Sequence, residues 1–303
     1  MSVARPDGRV TTEERIAGGL LGVATGDALG ATLEFMSPEA IAETYGVHRE
    51  IAGGGSFRWR PGQGTDDSDL TWAVARAYLD GPFSLARVAE GFLEWYRGGP
   101  RDIGGATAAA LARLADTGDP RSSGETGERS CGNGSLMRCI PTALVRADAS
   151  VRRRELAEIS AVTHAHRCCV DSCVAYGEIV ARLLEGDGPT EAVAAAGELD
   201  LDDRVLAALE VDGDLPVAAL PTTGYVIDSL RCAVWAIRQP APFEDTLVAL
   251  VNRGGDTDTT GAIAGGLMGV AQGIDAIPTR WLERLEYLGS FTRAAQELAR
   301  QRP

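Results

Sequence analysis

Apolar residues recur along this chain at intervals of three and four, the spacing of one face of a helix. Leu70, Val74, Ala77 and Tyr78 keep that period, as do Leu85, Val88, Phe92 and Trp95. A long helix is expected to begin at Thr12-Glu13-Glu14-Arg15 and to reach Gly30. Further helices are expected near 36–45, 67–79, 84–96 and 104–116, followed by a Gly/Ser/Asp/Pro-rich loop at 117–134. Helical patterns resume at 136–146, 152–163, 168–185, 189–197, 202–209, 222–238, 243–251 and 257–272, then at 278–300 with a break near Leu288. Alternating strand patterns with turn pairs are nearly absent, and alanine and leucine, both helix formers, are abundant. The chain reads as all-α, one compact domain over 1–303 without a linker, with 1–10 a loose terminus.

A second periodicity is carried by glycine. Gly18, Gly22, Gly26 and Gly30 recur every fourth residue in the first helix, and Gly261, Gly265, Gly269 and Gly273 do so near the C-terminus. Glycine inside a helix costs about 1 kcal/mol relative to alanine, so close backbone packing is the expected return. The two helices are expected to cross tightly in the core. If they run antiparallel, the end of the first, near Glu34, meets the start of the second, near Asp256. The competing reading is chance in a chain with 37 glycines.

Composition narrows the function classes. With 303 residues, 45% of them hydrophobic, the chain can bury a substantial core. Its six cysteines are too sparse for a disulfide scaffold and lack CxxC spacing, which points to buried thiols in a reducing cytoplasm. No secretory signal or membrane span is expected; the apolar stretch from Leu20 to Leu33 is short and interrupted by Asp27. The net charge is −14 and the chain contains no lysine. That excludes a Walker-type lysine, a Schiff-base lysine and a lysine general base. It also argues against broad binding to nucleic acid or anionic membrane, while leaving room for a local arginine-lined pocket. His48 is expected at the surface.

The candidate chemistry lies in two distant acidic loops, Gly64-Thr65-Asp66-Asp67-Ser68-Asp69 and Gly254-Gly255-Asp256-Thr257-Asp258-Thr259. Each follows glycine and opens into a helical run. Each offers carboxylates and hydroxyls only, a donor set suited to hard cations such as Mg²⁺ or Mn²⁺. One such loop alone reads equally as a capped helix start. Two in one chain would repel each other unless a cation lies between them.

These residues resemble a known family. Gly26-Asp27-Ala28-Leu29-Gly30 followed by Glu34-Phe35 is similar to the opening motif of the ADP-ribosylglycohydrolases. Thr65-Asp66-Asp67 resembles their first metal loop and Asn252 to Ala262 their second. Cys131-Gly132-Asn133-Gly134-Ser135-Leu136-Met137-Arg138 resembles their glycine-rich ligand loop, and Thr163-His164 their histidine motif. The matches keep the family's order from about residue 16 to 273, and Asp102-Ile103-Gly104 and Gly224-Tyr225-Val226 place the chain nearest the dinitrogenase reductase-activating branch.

The resemblance implies a compact orthogonal multi-helix bundle with a binuclear Mg²⁺ or Mn²⁺ site. Its ligands would be Thr65, Asp66, Asp67, Asp256, Asp258 and Thr259. Glu34 would help place the ribose or a bridging water, and Asp102 would face the departing group, unless it only caps the following helix. Gly132, Asn133, Gly134 and Ser135 would cradle a diphosphate, His164 would contact the ADP-ribose, and Tyr225 would be a platform for the adenine. The implied activity is hydrolysis of the bond between ADP-ribose and a modified protein side chain, most readily arginine, with ADP-ribose as product. Serine-linked or ester-linked ADP-ribose, and a non-catalytic ADP-ribose-binding role, are the alternatives.

Overall fold

A computed structural model describes residues 10–302, so the expected loose terminus lies, apart from Val10, outside the described residues. The first helix, α1 (Thr12–Gly30), starts at a reciprocal cap in which Thr11 and Glu14 each accept a hydrogen bond from the other's backbone N–H. From Gly18 onward every residue of α1 is buried, as its all-round apolar surface requires. There follow α2 (Pro38–Tyr45), α3 (Asp66–Leu79), α4 (Leu85–Arg97), α5 (Gly105–Thr117), α6 (Ile140–Val145), α7 (Ala149–Ala161) and α8 (Arg167–Glu185). The remainder are α9 (Pro189–Gly197), α10 (Asp203–Leu209), α11 (Val226–Ile237), α12 (Phe243–Val251), α13 (Thr257–Gln272), α14 (Thr279–Leu282) and α15 (Leu288–Gln301). Among the described residues β pairing is confined to isolated bridges, such as Gly54 with Trp59. The fold is all-α. No described helix is long and apolar enough to cross a membrane.

Helices α1 and α13 form the centre, and they run antiparallel in backbone contact. Gly18 faces Gly269, Gly22 faces Gly265, Gly26 faces Gly261 and Gly30 faces Thr257. A Cβ placed on any of these α1 glycines would overlap a carbonyl oxygen of α13, and one on Gly261 would lie 2.6 Å from the Gly26 carbonyl. The expected crossing is therefore present, with one change of detail. Gly273 ends α13 with φ +81°; its carbonyl carbon lies 2.9 Å from a Cβ placed on Gly18, while its own Cβ would meet Val10. The Thr257 hydroxyl, which donates to the Gly30 carbonyl at 2.8 Å, closes the series instead. Helices α11, α8 and α12 pack around α13, and α15 covers α1.

Two expected helices are shortened, for identifiable reasons. The 136–146 segment is helical only over α6, because Leu136 and Met137 turn back to donate to the Asn133 carbonyl. The helix expected from 222 starts at Val226, because the residues before it pair with other loops. Asp256 N–H donates to Thr222 O, Asn133 N–H to Gly224 O and Val226 N–H to Cys131 O. The break near Leu288 is real and lies just before it, where Glu286 N–H donates to Gly62 O. His48 is not at the surface: it is 4% exposed, with Nε2 3.2 Å from the Leu29 carbonyl.

Candidate metal and ligand site

The register of α1 against α13 brings the two acidic loops together. Thr65 caps α3, accepting from Asp67 N–H at 3.3 Å, so the capping role holds for the threonine. It does not account for the acids. Asp67 Oδ2 instead accepts from the Thr65 hydroxyl at 3.2 Å and, across 192 positions of sequence, from the Thr259 hydroxyl at 3.1 Å. Beneath them Asp27, fully buried in the last turn of α1, accepts from Thr65 N–H at 3.0 Å, Ser68 N–H at 3.1 Å and the Ser68 hydroxyl. A carboxylate suits the N–H-rich start of a helix. Asp27 thus anchors the first acidic loop, a role the sequence motif did not assign to it. The one signal was an acid standing alone in the apolar 20–33 run.

The second loop is clipped to the chain leaving α1. Phe35 N–H donates to Gly255 O at 2.8 Å, and Gly255 N–H donates to Met36 O at 2.9 Å. Gly255 has φ +76°, and a Cβ there would strike the Thr222 carbonyl. Asp256 stands at the cap position of α13 without capping it; its carboxylate accepts from Asn133 Nδ2 at 2.6 Å. Carboxylate oxygens of Glu34, Asp256 and Asp258 lie within 4.8 Å of one another. Glu34 Oε2 and Asp67 Oδ1 are buried without a hydrogen-bond partner.

That concentration of acid shifts every member. Burial raises Asp67 and Asp258 well above the usual carboxylate range, and neighbouring acids add to it. Asp66 moves the same way, through burial first and Asp102 second. Burial, then Asp102 and Asp256, pushes Glu34 up to about 8. The donors are all oxygen, two of them orphaned, and the acids repel one another. Hard divalent cations match this set.

The acids open into a cleft of about 370 Å³ whose opposite wall is Gly132, Asn133, Gly134 and His164. Asp102 also lines it and is not a helix cap, since Gly104 holds that position before α5. His164 lies under the glycine loop, 2% exposed; a Cβ on Gly134 would come 3.0 Å from its Cε1. The Thr163 hydroxyl accepts from Arg138 at 2.6 Å and lies in hydrogen-bond contact with His164 Nδ1 at 2.8 Å. Burial, then Arg138, lowers the imidazole to about 3, so the ring is neutral.

Two expected ligand contacts point elsewhere. The Ser135 side chain turns into the core, bonding Ser160 Oγ at 2.9 Å. Tyr225 places its hydroxyl beside Cys168 and Arg204, and Gly224 rather than Tyr225 lines the cleft.

Arg138 pins the glycine loop from below. It is fully buried, donates to the Gly134 carbonyl and lies 4.4 Å from the centre of the Phe92 ring. Arg138→Met is expected to lower unfolding stability by about 1–3 kcal/mol, the usual cost of stripping buried acceptors of their donor, as denaturant melts would read.

A family model, ADP-ribosylglycohydrolase, matches residues 9–303 of this chain. The ADP-ribosyl-[dinitrogen reductase] glycohydrolase of Rhodospirillum rubrum is 34% identical over 91% of this chain and 92% of its own length. The ADP-ribosylarginine hydrolase Tri1 of Pseudomonas putida is 31% identical, covering 96% and 79%. The ADP-ribosylhydrolase ARH3 of Mus musculus is 26% identical, covering 94% and 91%. A solved structure titled ADP-ribosylglycohydrolase-related protein complex superposes with a TM-score of 0.83 at 32% identity, over 96% of this chain and 99% of that one.

Proposed function

We propose, from the premise that this chain belongs to the ADP-ribosylglycohydrolase family, that it hydrolyses the N-glycosidic bond between ADP-ribose and a protein arginine. The observation that carries the reading is the convergence of the two acidic loops, with Thr259 bonded to Asp67 and oxygens of Glu34 and Asp67 left unpartnered. Thr65, Asp66, Asp67, Asp256, Asp258 and Thr259 would hold two divalent cations, Mg²⁺ or Mn²⁺. Bound there, such ions supply Lewis acidity and lower the pKa of water at neutral pH.

The chain's own groups account for the rest. Gly132 and Gly134 line the cleft and bring no side chain, so a diphosphate could approach their backbone closely in a protein without lysine. Neutral His164 floors that loop without adding charge. The carboxylates around Glu34 favour the positive charge that develops on the ribose as its glycosidic bond loosens. Asp102 faces the departing guanidinium, a pairing in which a carboxylate can accept two N–H bonds at once.

The linkage is decided by a panel of arginine-, serine- and ester-linked ADP-ribose conjugates assayed with Mg²⁺ and with Mn²⁺. Release from the arginine conjugate is expected. Turnover of the serine or ester conjugate alone overturns the arginine reading, and tight ADP-ribose binding with no turnover at all makes the protein a reader.

Chelation should change how stability responds to pH. Burial raises Glu34 to about 8 and Asp27 to about 7 from ordinary values of 4.5 and 3.8. In that window the folded chain binds more protons than the unfolded one, so stability falls as pH rises. The penalty is absent below the ordinary values and complete above the raised ones. The metal-free protein is therefore expected to melt higher near pH 5 than near pH 8, and Mn²⁺ to raise the melting temperature most near pH 8. Thermal melts with and without chelator check both signs.

A further inference from the structure

A second cavity, of about 410 Å³, adjoins the cleft and shares Asp66 and Asp102 with it. It is lined further by Trp59, Arg101, Asp69 and Tyr287. Its acids differ in what they have to do. Asp69 is committed, accepting from Trp95 Nε1 at 3.0 Å and from the Tyr287 hydroxyl at 2.6 Å. Asp66 and Asp102 take part in no described ion pair and stand between the two cavities.

The aromatic side of this cavity is built and held. A tight turn closed by the Gly54–Trp59 pairing carries Phe57 and Trp59. It is docked on the chain leaving α1, where the Ser56 hydroxyl donates to Glu34 O at 3.2 Å and the Thr32 hydroxyl to Gly53 O at 3.1 Å. Phe35 continues the row, 6.2 Å from Phe57, which is 5.8 Å from Trp59. Trp59 is 7% exposed, yet its indole Nε1 is buried with no acceptor. A buried donor without a partner is uncommon.

The cavity already receives a guanidinium from the chain itself. Arg101 lies 4.3 Å from the centre of the Trp59 ring and donates to the Phe57 carbonyl at 3.1 Å, one residue from Asp102. Its side chain is exposed, so little burial holds it there. A planar cation over an indole, in a cavity that Asp66 and Asp102 also line, is the kind of setting that suits an arginine leaving group.

We propose that this second cavity is the leaving-group subsite, and that Arg101 occupies it in the free protein and gives way to the substrate's arginine. The inference rests on the arginine reading above and adds a resident competitor to it. Trp59 supplies the stacking face and Asp102 supplies the charge.

The test is calorimetric titration of agmatine into protein saturated with Mn²⁺ and ADP-ribose, which needs no turnover. Arg101→Ala empties the subsite and is expected to tighten agmatine binding about 2- to 5-fold, the scale of an exposed cation–π contact. Trp59→Phe keeps an aromatic filler but removes the N–H and part of the stacking face, and is expected to weaken agmatine binding by a similar factor. n-Butylamine, a cation without the planar fork, should bind more weakly than agmatine to wild type. Weaker agmatine binding in Arg101→Ala overturns the inference, because Arg101 would then be part of the receiving site rather than its competitor. Unchanged binding in both variants overturns it as well. Failure of the arginine reading itself shows separately, as absent wild-type turnover of the arginine conjugate.

Discussion

Asp258→Ala is expected to lower turnover of an ADP-ribosylarginine conjugate by on the order of 10³-fold, the scale on which preorganised electrostatic groups act. Asp258 is 1% exposed, lies beside Asp256, Asp67 and Glu34, and is held by Thr259 N–H at 2.9 Å. Its loss should also remove most of the thermal stabilisation that Mn²⁺ confers. The same substitution has the opposite effect on the chelated protein. There Asp258 is a buried acid raised by burial and by its neighbours, and removing it relieves repulsion. Metal-free Asp258→Ala should therefore melt no lower than metal-free wild type near pH 8. A simple packing role for Asp258 predicts a lower melting temperature under both conditions. Full activity of the variant in chelated buffer would refute the metal-dependent reading.

Gly26→Val is expected to cost about 3 kcal/mol or more. Gly26 faces the Gly261 carbonyl, and a Cβ there would overlap it and crowd Ala262 N. The neighbour is backbone in the middle of a buried helix, so no rotamer change can make room. Spreading α1 from α13 would also move Glu34 and Thr65 away from Asp258 and Thr259. Metal affinity should fall along with stability, although residue 26 touches no proposed ligand. Gly46→Ala is the control: Gly46 has φ +67° but open space around it, so only a local backbone penalty is expected. Urea denaturation and Mn²⁺ titration of the two variants separate the cases.

Much of this was legible because the physics is local. Helix periods and caps depend on near neighbours, and the boundaries of α9 and α12 coincide with the pattern read at 189–197 and 243–251. The glycine spacing reached further, since two rows of small residues at one period have few uses other than each other. What stayed hidden depends on contacts between segments far apart in sequence. Nothing around Thr222 signals that it receives Asp256 N–H, so the late start of α11 could not be read. Ser135 sits in a loop that looks wholly ligand-facing, yet its direction is set by Ser160 on α7. Asp27 was visible as an odd acid, but its task depends on where α3 begins. Trp59 left no signal and Arg138 only a place at the end of the glycine-loop motif, because burial of an arginine or of an unpaired indole N–H is a property of the assembled core.

The α1–α13 pairing also sets a schedule for the ribosome. One partner is made well before the other, and neither can hide its apolar surface alone. At ordinary rates of synthesis α1 waits roughly tens of seconds for its mate. During that interval the nascent chain can have no working site, and α1 is a natural client for chaperones. Truncation anywhere before α13 should accordingly yield aggregate rather than a smaller folded protein.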